Sequence, residues 1–203
     1  MATALEGRIG QDFNYFVALE VKCDSDHRDF ISQIEELQVR TIEMFPVQDA
    51  KLAKIQSLHI TLATLQVHED ELAFVIQSLA DAVNQFKRIY SGEDGIRADF
   101  QGGSTSRNVA YLQMGLGANA FNTFKQTLMV HGLHRFVTDL CQSPHLTFVR
   151  NLDLTEAENG AMMDMMKEIK TTRITLDTVS LREKKRAGEQ LKPPIKQYVL
   201  WRE

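Results

Sequence analysis

The sequence of 203 residues predicts a single α+β domain made of two similar, interleaved lobes, at about 13–115 and 116–203. Segments with strand character alternate with amphipathic helical segments, and the order of elements in the second half resembles that in the first. No low-complexity linker separates the halves. The apolar fraction of 43% and the charged fraction of 25% are ordinary for a globular chain of this size, which can bury one sizeable core.

The first half begins with a strand at 13–22, which is rich in aromatic and β-branched residues. The Asp-Ser-Asp run at 24–26 supplies N-cap chemistry for a helix over 27–45, which Pro46 ends. The other elements predicted for this half are a strand at 57–67, a helix at 69–90, a strand at 96–101, a Gly/Ser-rich loop at 102–108 and a strand at 109–114.

The second half repeats this alternation. Thr155 and Glu158 have the spacing of a capping box and predict the start of a helix over 155–169. The other predicted elements are a mostly helical stretch at 118–140, a strand at 145–150, a strand at 174–181, a basic hairpin loop at 182–188 and a strand at 197–201.

The most informative feature is a motif that occurs twice. The run His-Ile-Thr-Leu at 59–62 follows Ser-Leu, and it recurs as His-Leu-Thr-Phe at 145–148 after Ser-Pro. In a strand, His and Thr at positions i and i+2 project from one face while their apolar neighbours project from the other. Two such strands side by side would form a cleft suited to phosphodiester cleavage. The candidate catalytic residues are therefore His59, Thr61, His145 and Thr147.

The remaining histidines do not share this pattern. His27 opens a helix and His68 follows a strand, so both are expected at the surface. His131 and His134 are three positions apart on a predicted helix, but only Asp139 stands nearby, whereas zinc needs three or four ligands. We therefore expect no metal site and no other cofactor.

Charge and cysteine content restrict the partners. The net charge of −4 gives no global basic field for long nucleic acid, although a local basic pocket could still hold a small anion. Cys23 and Cys141 are not in metal-ligand spacing and are predicted to be reduced thiols. The sequence shows no secretory signal and no membrane-spanning run, so we expect a cytoplasmic or nuclear monomer that does not bind membranes.

Nucleotides are commonly held by aromatic stacking together with phosphate contacts. The aromatic candidates are Tyr15, Phe16, Phe100, Phe148 and Trp201. Tyr15 is preferred because it is polar, while Phe148 stays a candidate although its alternation with the motif residues favours the core. Arg107 and Arg150 are candidate phosphate ligands, and the basic run at 184–186 could steer a second phosphate, although a solvated loop is the simpler interpretation.

The paired motifs resemble those of the 2H phosphoesterase superfamily. More closely, the chain resembles the central domain of A-kinase anchoring proteins of the gamma/delta type. The stretches that carry this resemblance are Asn-Tyr-Phe at 14–16, His-Ile-Thr-Leu at 59–62, Phe-Gln-Gly at 100–102 and Pro-His-Leu-Thr-Phe at 144–148. The resemblance implies a bilobal fold with two antiparallel sheets facing a central cleft and helices outside. It also implies metal-free cleavage of 2′,5′-linked oligoadenylates.

One feature of those anchoring proteins has no counterpart in this sequence. They carry a further C-terminal amphipathic helix that binds the kinase regulatory subunit, whereas this sequence ends at 201–203, directly after the last predicted strand. Kinase anchoring is therefore not expected of this chain.

The predicted chemistry uses two imidazoles that titrate near neutral pH, one as base and one as acid. A 3′-hydroxyl would attack the phosphorus of a 2′,5′ link, and Thr61 and Thr147 would bind the non-bridging oxygens. The near symmetry of the motifs leaves the roles of the two histidines open. The alternatives are a 2′,3′-cyclic nucleotide phosphodiesterase or RNA-end processing enzyme, and a non-catalytic nucleotide (AMP)-binding module. The expected partner is a 2′,5′-oligoadenylate or another short RNA or nucleotide.

Overall fold

A computed structural model describes residues 13–47, 50–106, 109–184 and 192–200. Within these ranges the helices are α1 (Arg28–Met44), α2 (Leu72–Ile89), α3 (Ala118–Val130) and α4 (Glu156–Lys167). The strands are β1 (Tyr15–Glu20), β2 (Lys51–Leu52), β3 (His59–Leu65), β4 (Ile96–Ala98), β5 (Phe100–Ser106), β6 (Val109–Met114), β7 (Val137–Leu140), β8 (His145–Arg150), β9 (Ile174–Leu176), β10 (Thr178–Glu183) and β11 (Lys196–Val199). No helix in this part of the chain is both long and apolar enough to span a membrane.

The strands form two main antiparallel sheets, and this confirms the predicted α+β class. The five-stranded sheet has the order β11-β10-β1-β3-β7, the four-stranded sheet has the order β2-β8-β6-β5, and β4 pairs with β9. Each main sheet takes strands from both halves of the chain, so the sheets do not separate at the predicted lobe boundary near 115. The motif strands β3 and β8 lie in different sheets.

The segments before the two motif strands are exchanged between the sheets. β2 lies just before β3 in the chain but pairs with β8, and β7 lies just before β8 but pairs with β3. Backbone hydrogen bonds continue this crossing, from Ala53 N to Phe148 O at 2.9 Å and from Cys141 N to Leu62 O at 3.1 Å. The exchange therefore holds β3 and β8 next to each other.

The predicted capping chemistry begins α4, whereas Asp24 caps a 3-10 turn at Ser25–His27 and α1 begins after His27 without a side-chain cap. The Asp24 carboxylate accepts a hydrogen bond from His27 N at 3.2 Å, just before α1. In α4, the Thr155 and Glu158 pair forms the predicted capping box. His27 is buried, so its predicted surface position was wrong. Its ring nitrogens lie 2.5 Å from Asp24 Oδ1 and 3.1 Å from Thr175 O, and these polar contacts allow burial.

Several predicted boundaries were wrong. The strand predicted at 96–101 comprises β4 and the start of β5, which pair with β9 and β6 respectively. The helix predicted over 118–140 ends at Val130, because Gly132 takes a left-handed conformation with φ of +90°, and 137–140 forms β7 instead. The described part of the loop predicted at 102–108 belongs to β5. The strand predicted at 174–181 is two strands, β9 and β10, because β9 pairs with β4 outside the main sheets.

Gly103 in β5 is required by close packing. An added Cβ would overlap the carbonyl oxygen of Tyr111 and would lie 2.6 Å from Met166 Cε. Gly160 in α4 offers a contrast, since nothing lies within 4 Å of the Cβ position there.

We expect Gly103→Ala to lower the free energy of unfolding by about 1–3 kcal/mol, because the backbone or α4 must shift to admit the methyl group. Gly160→Ala should raise it by about 0.5–1 kcal/mol, because alanine is the better residue in an exposed helical turn. Urea unfolding of both variants measures this, and equal changes in the two would contradict the packing assignment.

Candidate active site

The two motif strands present the same alternation of side chains. In β3, His59 and Thr61 are half-buried while Ile60 and Leu62 are fully buried. β8 repeats the pattern over 145–148. The fully buried apolar residues fix each strand to the core, at about 1.5–3 kcal/mol for each side chain. The half-buried faces therefore carry one histidine and one threonine each.

Each motif strand contains a β-bulge at the residue that follows the threonine. The register of β3 with β1 skips Leu62, and the register of β8 with β6 skips Phe148. A bulge shifts the alternation by one position, so the third residue after each threonine returns to the His/Thr face. These residues are Thr64, which is half-buried, and Arg150, which is exposed. Arg150, predicted as a phosphate ligand, thus lies on the expected face.

Both histidines are held by the same hydrogen bond. His59 Nδ1 lies 2.7 Å from the carbonyl oxygen of Ser57, and His145 Nδ1 lies 2.8 Å from that of Ser143. A carbonyl oxygen can only accept, so Nδ1 carries the hydrogen and donates it in each case. Nε2 is then the nitrogen that remains for a ligand, as acceptor when the ring is neutral and as donor when it is charged. The serine two residues before each histidine was visible in the sequence, but its role was not.

The threonine hydroxyls are also available to a ligand. Neither Thr61 Oγ1 nor Thr147 Oγ1 makes a hydrogen bond within the described ranges. Thr64 differs, because its hydroxyl lies 2.9 Å from the hydroxyl of Thr138 in β7.

Each motif histidine contacts an aromatic ring from the neighbouring strand. The Phe16 ring centroid lies 5.2 Å from that of His59, and the Tyr111 centroid lies 4.7 Å from that of His145. Sequence reasoning preferred Tyr15 over Phe16 and missed Tyr111. Tyr111 alternates with buried Ala110 and Leu112 in β6, but the sequence alone does not reveal which strand pairs with β8.

Several predicted binding residues lie elsewhere. Tyr15 packs against the hydrophobic core, on the opposite side of β1 from Phe16. Phe148 is fully buried because it occupies the bulge on the core side, and Phe100 is fully buried as well. Full burial contradicts the predicted binding role of Phe148, whereas Tyr15 is half-buried and its binding role stays a prediction. Arg107, Trp201 and most of the basic run at 184–186 lie outside the described residues.

The residues that pair directly with the two histidines are Glu20 in β1 and Gln113 in β6. They have nearly the same shape but differ by one charge. Gln113 donates from Nε2 to the carbonyl oxygen of Pro144 at 2.9 Å. Sequence reasoning singled out neither of them.

Glu20 takes part in a buried ionic network with Arg182 and Ser180 of β10. The Arg182 guanidinium donates to both carboxylate oxygens, from Nε at 2.6 Å and from Nη2 at 2.9 Å, and the Ser180 hydroxyl donates to Oε1. This bidentate geometry compensates for removing both charges from water.

The environment lowers the pKa of His59 below its ordinary value. Burial is the largest cause, because it disfavours the charged imidazolium, and the positive charges of Arg150 and Arg182 act in the same direction. The hydrogen bond to Ser57 and the negative charge of Glu20 oppose this shift. His59 is therefore mainly neutral at neutral pH. Arg150 belongs to β8, which lies next to the strand of His59.

The thiol of Cys141 and the side chains of His131 and His134 make contacts within the protein. Cys141 Sγ lies 3.8 Å from His145 Nδ1, and burial raises the pKa of this thiol to about 11, so it stays protonated at neutral pH. Cys23 is also a free thiol. His131 Nε2 lies 2.5 Å from Gln85 Oε1, and His134 Nδ1 donates to Met129 O at 3.1 Å. No group of three or more potential metal ligands occurs within the described ranges.

Comparisons with known proteins give the family and the fold of the chain. A family model described as "AKAP7 2'5' RNA ligase-like domain" matches residues 13–181. Curated protein sequences gave no match. Among solved structures, a protein of Thermus thermophilus is similar with a TM-score of 0.64 and 16% identity, covering 92% of this chain and 97% of that one.

Two further solved structures share the fold. LigT of E. coli, complexed with NADP+, has a TM-score of 0.63 and 13% identity over 93% of this chain and 98% of its own. The ns2 PDE domain of MHV has a TM-score of 0.58 and 16% identity over 86% of this chain and 100% of its own.

The charges around His59 predict that two variants shift its pKa in opposite directions. Glu20→Gln should lower the His59 pKa further, because it removes the nearby negative charge and leaves Arg182 unopposed. Arg182→Gln should raise it, because Arg150 is then the only one of the two positive charges left to oppose Glu20. NMR titration of the His59 Cε1 proton measures both changes. Glu183→Gln changes a half-buried residue of the same strand that pairs with Lys192 and not with Glu20, so this control should leave the titration unchanged. Shifts of the same sign in the first two variants would contradict the assignment.

Proposed function

The chain belongs to the AKAP7 2'5' RNA ligase-like domain family and to the 2H phosphoesterase superfamily, and on this premise we propose that it is a metal-independent phosphodiesterase that cleaves 2′,5′-linked oligoadenylates. We propose further that residues 1–203 act as one domain. The observation that carries the proposal is the matched anchoring of His59 and His145 through Nδ1, which leaves Nε2 of both rings for a substrate at the junction of the two sheets.

His59 is the general base in this mechanism. Its lowered pKa keeps Nε2 unprotonated at neutral pH, as a base requires. Nε2 accepts the proton of the ribose 3′-hydroxyl, and the 3′-oxygen attacks the phosphorus of the 2′,5′ link. His145 donates a proton from Nε2 to the departing 5′-oxygen. The products are a 2′,3′-cyclic phosphate and a free 5′-hydroxyl, and one proton has passed to His59 while one has left His145.

Thr61, Thr147 and Arg150 stabilise the charge that develops on the phosphoryl oxygens. Both hydroxyls lack partners within the described ranges and lie on the same strand faces as the histidines. Arg150 reaches this face because of the bulge at Phe148. Its positive charge contributes to the lowered pKa of His59. Donors fixed in advance beside the reacting phosphate are the usual source of electrostatic rate enhancement.

The choice of substrate rests on the family description and on the chemistry of the site. The name of the matching family refers to 2′5′ RNA, and LigT, a structural relative, has been solved with NADP+, ATP and 3′-AMP. A nucleotide ligand is therefore the class that this cleft suits. Because Nε2 of a neutral histidine also activates water, a 2′,3′-cyclic nucleotide is the second candidate substrate.

The direct test is product analysis with 2′,5′-triadenylate and its 3′,5′-linked isomer, in buffer that contains EDTA. We expect cleavage of the 2′,5′ compound only, with a 2′,3′-cyclic phosphate and a 5′-hydroxyl as the new ends. Equal cleavage of both isomers would contradict the linkage assignment. Loss of turnover in EDTA would contradict the metal-free mechanism, and binding without turnover would favour a nucleotide-binding module.

A substrate with a better leaving group separates the roles of the two histidines. His59→Ala and His145→Ala should each reduce kcat on 2′,5′-diadenylate by about 10²–10⁴-fold. Adenosine 2′-(4-nitrophenyl phosphate) loses 4-nitrophenolate without needing a proton, so His145→Ala should regain most of its activity on this compound while His59→Ala should not. Rescue of His59→Ala instead would reverse the two roles.

A further inference from the structure

A cavity of about 380 Å³ lies beside the second motif strand. Its lining includes Gln101, Gly102, Ser104 and Gln113 from the four-stranded sheet, and Lys167 and Lys170 from the end of α4 and the segment after it. Gln113 pairs directly with His145 across β6 and β8, and directly paired residues project from the same face of a sheet. The cavity is therefore the space next to His145 in the direction of β5.

Hydrogen bonds fix the orientation of both glutamine amides in this cavity. Gln113 Nε2 donates to the carbonyl oxygen of Pro144 at 2.9 Å, and Gln101 Nε2 donates to the Asp99 carboxylate at 3.3 Å. Both partners can only accept, so the nitrogen of each amide must face them. The carbonyl oxygen Oε1 of each glutamine then has no partner within the described ranges and remains as an acceptor.

The position of Gln101 depends on two further contacts. Asp99 is buried and accepts from the backbone nitrogen of Leu116 at 2.8 Å, which holds the carboxylate in place. Gly115 leaves room for this pair, since an added Cβ would lie 2.7 Å from Asp99 Oδ1 and 3.4 Å from the Gln101 side chain. Gln101 itself is exposed, and its contact with the buried Asp99 carboxylate turns its Nε2 inward and leaves Oε1 as the free acceptor within the described ranges.

We propose that this cavity binds the nucleobase of the leaving nucleotide, and that Gln113 and Gln101 accept hydrogen bonds from its exocyclic amine. The inference rests on the proposed function, in which His145 protonates the leaving 5′-oxygen and the nucleotide next to His145 is the one that departs. An exocyclic amine has two N–H donors, which match two fixed acceptors. A carbonyl at that position supplies no donor and places a third acceptor against the two amide oxygens.

The charges around the cavity favour a base there rather than a phosphate. The Asp99 carboxylate stands behind Gln101 and would repel an anion placed against the amides. The lysines lie at the exposed edge, where Lys170 has no ion pair within the described ranges and Lys167 Nζ pairs with Asp164 at 2.7 Å. The volume falls within the range of small-ligand pockets, which is about 300–1,000 Å³.

The test compares 2′,5′-diadenylate with the same dinucleotide that carries inosine on the leaving side, because inosine replaces the amine by a carbonyl. We expect kcat/KM to be roughly tenfold or more higher for the adenosine compound. Gln113→Ala should reduce this ratio towards one, and Gln101→Ala should do so in part. Gln77→Ala, which removes an exposed glutamine of α2, should keep the wild-type ratio, and thermal melting shows whether each variant is folded.

Nucleotide binding by the wild-type protein tests the base site without requiring cleavage. Isothermal titration with 5′-AMP and 5′-IMP should show roughly tenfold tighter binding of 5′-AMP. If neither dinucleotide is cleaved but 5′-AMP is preferred, the proposed function is wrong and the base site stands. Equal binding of the two nucleotides, or an unchanged ratio in Gln113→Ala, overturns the base site.

Discussion

Pairing between exchanged strands is the constraint that keeps the candidate site together. β2 and β7 each precede one motif strand and pair with the other, so neither sheet is complete without a segment from the other half of the chain. The backbone bonds from Ala53 to Phe148 and from Cys141 to Leu62 end on the two bulged residues themselves. Each bulge is therefore tied to the opposite half of the chain, and the histidines that precede them cannot separate without breaking both sheets.

Side chains and backbone groups position the site in different ways. Buried apolar residues fix each motif strand to the core, and backbone carbonyls fix the ring of each histidine. No charged side chain is needed to orient either imidazole. Burial lowers the pKa of His59 most, and the hydrogen bond to Ser57 that orients the ring also acts on this pKa. The charged groups nearby, Glu20, Arg150 and Arg182, adjust the pKa further without contacting the nitrogen that holds the ring in place.

The sequence predicted the fold class, most of the elements and the two motif faces, because all of these depend on local periodicity. Periodicity gives the alternation around His59 and His145, and it gives the capping box at Thr155. Periodicity did not predict the features that depend on pairing between strands far apart in the sequence. The bulges, the burial of His27 against Thr175, and the placement of Tyr111 and Gln113 depend on which strands become neighbours. The strand β7 was missed because its four residues follow a helix of strong periodicity, and only pairing with β3 makes them extended.

The two residues that pair with the histidines differ in charge, and under the proposed function this difference bears on the direction in which a nucleotide chain would bind. A site with true twofold symmetry would bind a chain equally well in either direction, because its two halves would be interchangeable. Here Glu20 belongs to a buried ionic network on one side, while Gln113 presents an uncharged amide to a recess on the other. A nucleotide chain has different ends, and the charge difference between Glu20 and Gln113 makes the two ends of the site different as well. The duplicated motif thus supplies two similar histidine–threonine pairs, and the residues that pair with them on β1 and β6 make their surroundings different.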